Sequence, residues 1–192
     1  MKKCLVAALI AASLAAHADT LEVKQPAKPA QTLQLSSPDI QDGATLTLAQ
    51  VADSFGCSGK NLSPALQWTG VPKEAKSLVL TVYDPDAPTG SGFWHWAVYN
   101  LPASATGLPA GAGATDAKLP DGAAVLKNDG GIRGFIGACP PPGHGAHRYI
   151  FTIHALDCDH LELPEDVTTA RVGFNVWAHS LGSASLTGTF GR

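Results

Sequence analysis

Ser77-Leu78-Val79-Leu80-Thr81-Val82-Tyr83-Asp84-Pro85-Asp86-Ala87-Pro88 is the stretch on which the reading of the fold turns. Aliphatic, β-branched and aromatic side chains run to Asp84 without a helical period, and the run then stops at two prolines. Proline fixes φ and removes a backbone donor, so the pattern reads as a strand closed by a stiff turn. Comparable runs are Leu66 to Thr69, His95 to Leu101, Ala123 to Lys127 and His147 to Leu156, each bounded by Gly, Pro, Asn or Asp. Short runs with turn signals between them imply an antiparallel β sandwich or barrel. The chain is therefore read as mainly β.

One segment departs from this pattern. In Asp166 to Leu181, the residues Val167, Ala170, Arg171, Phe174, Trp177, Ala178 and Leu181 approximate a 3.6-residue period, and Gly182 offers a stop. A helix is expected there, followed by a last strand over Ser183 to Phe190. Leu108 to Ala114 is a Gly/Ala/Pro loop, and no internal repeat is present.

The N-terminus reads as an export signal. Met1-Lys2-Lys3 precedes an uncharged run from Cys4 to Ala16, and Ala16-His17-Ala18 matches a cleavage site. That run is shorter than the ~20 residues needed to span a bilayer, so no transmembrane anchor is expected. Of 192 residues, removal of 18 leaves 174, enough for one domain. The organisation expected is a signal peptide over 1–18, a flexible, proline-containing lead-in over 19–32, and one domain over 33–192. The complete chain has 13 basic and 16 acidic residues; losing Lys2 and Lys3 leaves 11 against 16, a net charge of −5. This argues against nucleic acid as a partner, which requires clustered positive charge. A periplasmic or secreted protein is expected.

Cys57, Cys139 and Cys158 follow the signal segment. An oxidising compartment allows one bridge and one leftover thiol. Cys57 and Cys139 both sit in Gly- or Pro-rich loops, which favours their pairing; three free cysteines are the alternative. Their spacing fits no zinc pattern.

Strand alternation turns a sequence fact into a spatial one. His147 and Tyr149 share a face, while Arg148 points the other way, where it suits a carboxylate such as Asp86. A hairpin through Pro85 to Phe93 brings Asp84 near His95. Two imidazoles, a phenol and a carboxylate then converge, a group suited to a phosphate or carboxylate ligand. Asp84 would repel an anion unless it accepts a hydrogen bond from His95 or meets an ammonium group, which a phosphoethanolamine head group supplies.

Asp84-Pro85-Asp86-Ala87-Pro88, Trp94-His95-Trp96, Gly137-Ala138-Cys139-Pro140-Pro141 and Gly145-Ala146-His147-Arg148-Tyr149 together resemble the phosphatidylethanolamine-binding protein family, which includes the Raf kinase inhibitor proteins, and its bacterial branch in particular. Gly59-Lys60-Asn61-Leu62-Ser63-Pro64, Asn128-Asp129 and Leu186-Thr187-Gly188-Thr189-Phe190 extend the resemblance over roughly Leu33 to Arg192. It implies a two-sheet antiparallel Greek-key sandwich with a C-terminal helix. It also implies a small anion pocket made by Asp84, His95, Pro140, His147 and Tyr149, supported by Asp86 and Arg148, and a cis bond at Ala87-Pro88. Phe93 and Ala138 depart from residues common in parts of the family, Trp and Pro respectively.

The leading expectation is a non-enzymatic exported protein that binds a small anionic or zwitterionic ligand, with His95 and His147 as donors and no cofactor or metal. An inhibitor or regulator of a protease or kinase is the alternative, with the loops of Leu101 to Gly122 as contact surface. A hydrolase using Cys139 is disfavoured, because Pro140, Pro141 and Pro142 have no N–H for an oxyanion hole. A metal site of Asp84, His95 and His147 has suitable ligand types but no tight spacing. His144, His154, His160 and His179 are read as loop, strand-face or helix residues. The pattern singles out no dimer edge, and a homodimer stays open.

Overall fold

A computed structural model describes residues 32–192. The expected signal peptide, and the expected lead-in except for Thr32, lie outside the described residues. The elements in chain order are β1 (Gln34–Ser36), β2 (Leu66–Thr69), β3 (Ser77–Asp84), β4 (Phe93–Pro102), β5 (Gly107–Leu108), β6 (Ala124–Val125), β7 (His147–Leu156), α1 (Thr169–His179) and β8 (Ser180–Phe190). They form a three-stranded sheet in the order β1-β2-β5 and a five-stranded sheet in the order β6-β4-β3-β7-β8. Every pairing between these strands is antiparallel.

The larger sheet is a Greek key: β3, β4 and β6 lie side by side, and β7 returns after a long connection to pair with the free edge of β3. That return makes the site, because it lays His147 and Tyr149 beside the Asp84 end of β3. Alternation sorts the two faces of the sheet. Leu78, Leu80 and Val82 of β3 and Tyr149, Phe151 and Ile153 of β7 join Trp96, Leu66 and Trp68 in the main core. On the opposite face Val79, Ala97 and Leu156 pack with Val172 and Val176 of α1. Asp84 and His147 continue the inward-facing rows and are buried at the mouth of the core.

The helix is present, over Thr169–His179. Val172 and Val176, one turn apart, are buried, while Phe174 and Trp177 are exposed. A short helix laid on a sheet needs only a narrow stripe, and two valines supply it. Thr168 caps the N-terminus by accepting from the Arg171 N–H. At the other end Ser180 turns extended and enters β8 directly, so Gly182 lies inside a strand instead of stopping the helix.

Three other expectations change. No cis peptide bond occurs among the described residues, so Ala87-Pro88 is trans. The turn instead closes through local bonds: Asp86 N–H donates to Asp84 Oδ1 at 2.8 Å, and Thr89 N–H to the Ala87 carbonyl at 2.8 Å. The expected strand over Ala123 to Lys127 contracts to two residues, and Lys127 forms an isolated bridge with Arg133. The Leu101 to Gly122 segment is not simply an exposed loop, because it contributes β5 and buries Leu108 and Ala112.

Candidate functional site

The site begins with a bulge. Along the β3–β4 ladder Val82 faces Trp96 but Tyr83 faces Trp94, so His95 is the extra residue. A regular strand would put Trp94 and Trp96 on one face. The bulge instead sends Trp94 to the helix side and Trp96 into the main core. His95 is thereby aimed at Tyr149, with ring centroids 5.0 Å apart in an edge-on arrangement, and Phe93 packs 4.9 Å from its other side.

His95 Nδ1–H donates to the Ile136 carbonyl at 2.8 Å, while Ile136 N–H returns a bond to the His95 carbonyl at 3.0 Å. Asn128, buried, adds Nδ2–H bonds to the carbonyls of His95 and Gly134 and accepts the Ile132 N–H on its own oxygen. Burial pushes His95 below the ordinary histidine pKa, with the Ile136 carbonyl and Asp84 opposing in part. With its Nδ1 proton held by the Ile136 carbonyl, the neutral form of the ring offers Nε2 as an acceptor. Asp84 receives no bond from it: its two oxygens are taken by His147 and the Asp86 N–H.

Asp84 serves His147 instead. His147 Nδ1–H donates to Asp84 Oδ2 at 2.7 Å, and both side chains are almost sealed from solvent. With Asp84 Oδ1 accepting the Asp86 N–H, both carboxylate oxygens are satisfied within the protein. The other ring nitrogen of His147 meets an unexpected partner: Nε2 lies 2.7 Å from Nδ1 of His144, on the exposed loop before β7. Asp84, His147 and His144 form a chain from core to surface. His-x-x-His spacing was the available signal for His144, and the turn through Gly145 at φ 93° makes it meaningful only once folded.

Tyr149 is buried beneath His95, and its phenol is pushed well above the usual range by burial first and by Asp84 second, with the Cys139 backbone opposing. Asp86 and Arg148 pair as expected. Arg148 Nε and an Nη donate to the two carboxylate oxygens at 2.9 and 2.7 Å, and Arg148 N–H adds a bond of 2.9 Å. The guanidinium holds the Asp86 carboxyl below the usual range.

The Cys139-Pro140 wall is built from distant segments. Cys57 and Cys139 form a disulfide with Cα atoms 5.9 Å apart. Arg192 Nε donates to the Pro140 carbonyl at 2.7 Å, and its terminal nitrogens reach the carbonyls of Gly56 and Phe55. Asn61 Oδ1 accepts the Gly137 N–H at 2.7 Å. Ala138 exchanges backbone bonds of 3.0 Å with Gln50 and Ala52, and a side chain at Gly137 would collide with that same backbone. Pro140 is held buried next to Cys139, which faces the phenol of Tyr149.

The geometry unites Asp84, His147 and Tyr149 with His95 at one end of the sandwich, and adds His144. With its sulfur bonded to Cys57, Cys139 offers no thiolate nucleophile.

Similarity to known proteins agrees with this architecture. A family profile described as phosphatidylethanolamine-binding protein matches residues 36–191. Protein YbhB of Escherichia coli K12 is 49% identical over 158 residues, covering 82% of this chain and 99% of that protein. A Mycobacterium tuberculosis relative that carries a lipoprotein name is 37% identical over 174 residues, 90% of this chain and 79% of its own. The crystal structure of E. coli YbcL, presented as a new member of the mammalian PEBP family, superposes with a TM-score of 0.81 at 45% identity, covering 84% of this chain and 99% of that one. By profile, sequence and fold, the chain belongs to the phosphatidylethanolamine-binding protein family.

Proposed function

We propose that this protein is an exported, non-catalytic binder of a small phosphate-bearing ligand, received between His144, His147, His95 and Tyr149. The observation that carries the reading is the Asp84–His147–His144 chain. A buried carboxylate fixes His147 with its proton on Nδ1 and turns Nε2 toward the outer imidazole; an entering hydrogen phosphate opens the direct contact between the two rings, donating its O–H to His147 Nε2 and accepting a ring N–H from His144.

His95 sharpens the ligand class. Its Nε2 is an acceptor, so the ligand must bring a proton to it, as a hydrogen phosphate oxygen or an ammonium group does. A phosphoethanolamine-type head group offers both. Export is supported by the signal-like N-terminus, the disulfide and the lipoprotein name of one relative.

Calorimetry with inorganic phosphate, O-phosphoethanolamine and sulfate tests this. Both phosphates should bind, and sulfate, which carries no proton near neutral pH, should bind several-fold more weakly. His147→Ala should abolish the heat of binding. Equal binding of sulfate would remove the proton-acceptor role of His95, and phosphate binding untouched by His147→Ala would remove the site.

A further inference from the structure

A second cluster lies about one strand length away, where β7 ends and α1 ends. Asp157 and Cys158 follow the last residue of β7, and His179 is the last residue of α1. One carboxylate oxygen of Asp157, the Cys158 sulfur and one His179 ring nitrogen all lie within 4.8 Å of one another. We infer that Asp157, Cys158 and His179 form a binding site for a thiophilic divalent cation, Zn2+ in chemical class. The inference is independent of the phosphate reading.

The backbone under the three ligands is already fixed. Asp157 N–H donates to the His179 carbonyl at 3.0 Å, and Ser77 Oγ–H, at the start of β3, donates to the Cys158 carbonyl at 2.7 Å. His179 Nδ1–H donates to Asp157 Oδ1 at 2.8 Å, so two ligand atoms already point at each other. A tetrahedral zinc with bonds of about 2.0 to 2.3 Å separates its ligand atoms by about 3.3 to 3.8 Å, so side-chain rotation alone reaches the bound geometry.

The donor set selects the metal. Sulfur and imidazole favour zinc-like ions over Mg2+ and Ca2+, which take all-oxygen cages. The surroundings are negative: Asp157 and Asp159 flank the thiol, and the C-terminal end of α1 adds the negative pole of its dipole. The nearby cation Lys76 is engaged with Asp159 at 3.5 Å. Burial first, then these carboxylates, raise the thiol above its ordinary pKa; the same field attracts a dication. On binding, the Cys158 thiol proton leaves to solvent and the His179 ring proton moves from Nδ1 to Nε2. Three protein ligands leave a fourth position for water, and the metal ties the end of β7 to the end of α1.

Cobalt titration of the purified, disulfide-intact protein tests this directly. One equivalent of Co2+ should produce a thiolate-to-cobalt charge-transfer band, which Zn2+ removes, and Zn2+ should slow alkylation of Cys158. Cys158→Ser should abolish the band while leaving the metal-free unfolding midpoint unchanged. His179→Gln should weaken Zn2+ by more than the roughly 10- to 100-fold typical of losing an outer-sphere partner. His147→Ala, at the other site, should leave the band intact. No band, a band that survives Cys158→Ser, or one lost in His147→Ala overturns the inference.

Discussion

His147 Nδ1 lies 2.7 Å from Asp84 Oδ2, joining two side chains that are 63 residues apart in sequence and only 2% and 4% exposed. This pair carries both the stability and the orientation of the site. Truncating Asp84 to alanine leaves a buried ring N–H without an acceptor and exposes the Asp86 N–H to the same loss. A bond to a charged acceptor contributes about 1.5–3 kcal/mol, so Asp84→Ala should lower stability by at least ~2 kcal/mol. Urea unfolding of wild type and variant measures it; coincident midpoints would contradict the assignment.

His144 makes a contrasting case, since it is exposed and sits on a glycine-flanked loop. Its removal should change stability by no more than ~0.5 kcal/mol, as surface substitutions do. Affinity for inorganic phosphate should nevertheless fall by about tenfold, the loss of one charge-assisted bond. A His144→Ala variant with wild-type affinity would restrict the site to His147.

Acid sensitivity follows from His154, buried in β7, with Nε2 3.4 Å from Thr81 Oγ1. Burial lowers its pKa to about 4. In the unfolded chain the same ring takes up its proton near 6.5. Stability is therefore full above about pH 6.5 and declines as pH falls toward 4, by about 3 kcal/mol from this residue. His95, shifted in the same direction, adds to the slope. Denaturant titrations from pH 7.5 to about 4 should show the decline, and His154→Leu should flatten it; an unchanged slope in the variant would refute the attribution.

The Cys57–Cys139 bridge spans 82 residues. In the chain-entropy account, cutting a loop of that length costs up to ~4.5 kcal/mol. Cys57→Ser/Cys139→Ser should unfold at clearly lower urea and lose phosphate affinity, because Cys139 and Pro140 form the wall beside Tyr149. Retained affinity in a folded double variant would detach the bridge from the site.

Much of this architecture was legible from local pattern. Alternation in His147 to Leu156 put His147 and Tyr149 on one face and Arg148 on the other, and the folded strand agrees. Loop chemistry favoured the cysteine pair that forms. The helix was visible as a period, whereas its end was not: Gly182 suggested the stop, but the chain turns extended at Ser180 and runs on into β8. Family likeness suggested a cis bond at Ala87-Pro88, whereas the turn closes in trans through the Asp84 carboxylate.

The order of residues alone determined the longer strands, the two faces at the start of β7, the Asp86–Arg148 pairing and the set of titratable groups available, because a two-residue period and turn chemistry are properties of neighbouring residues. Only the tertiary structure decided what each group does. The bulge at His95, its capture by the Ile136 carbonyl, the choice of His147 over His95 as partner of Asp84, and the approach of His144 all depend on register and on partners up to 63 residues away. Burial, which lowers the pKa of His95, exists only once those segments close over it.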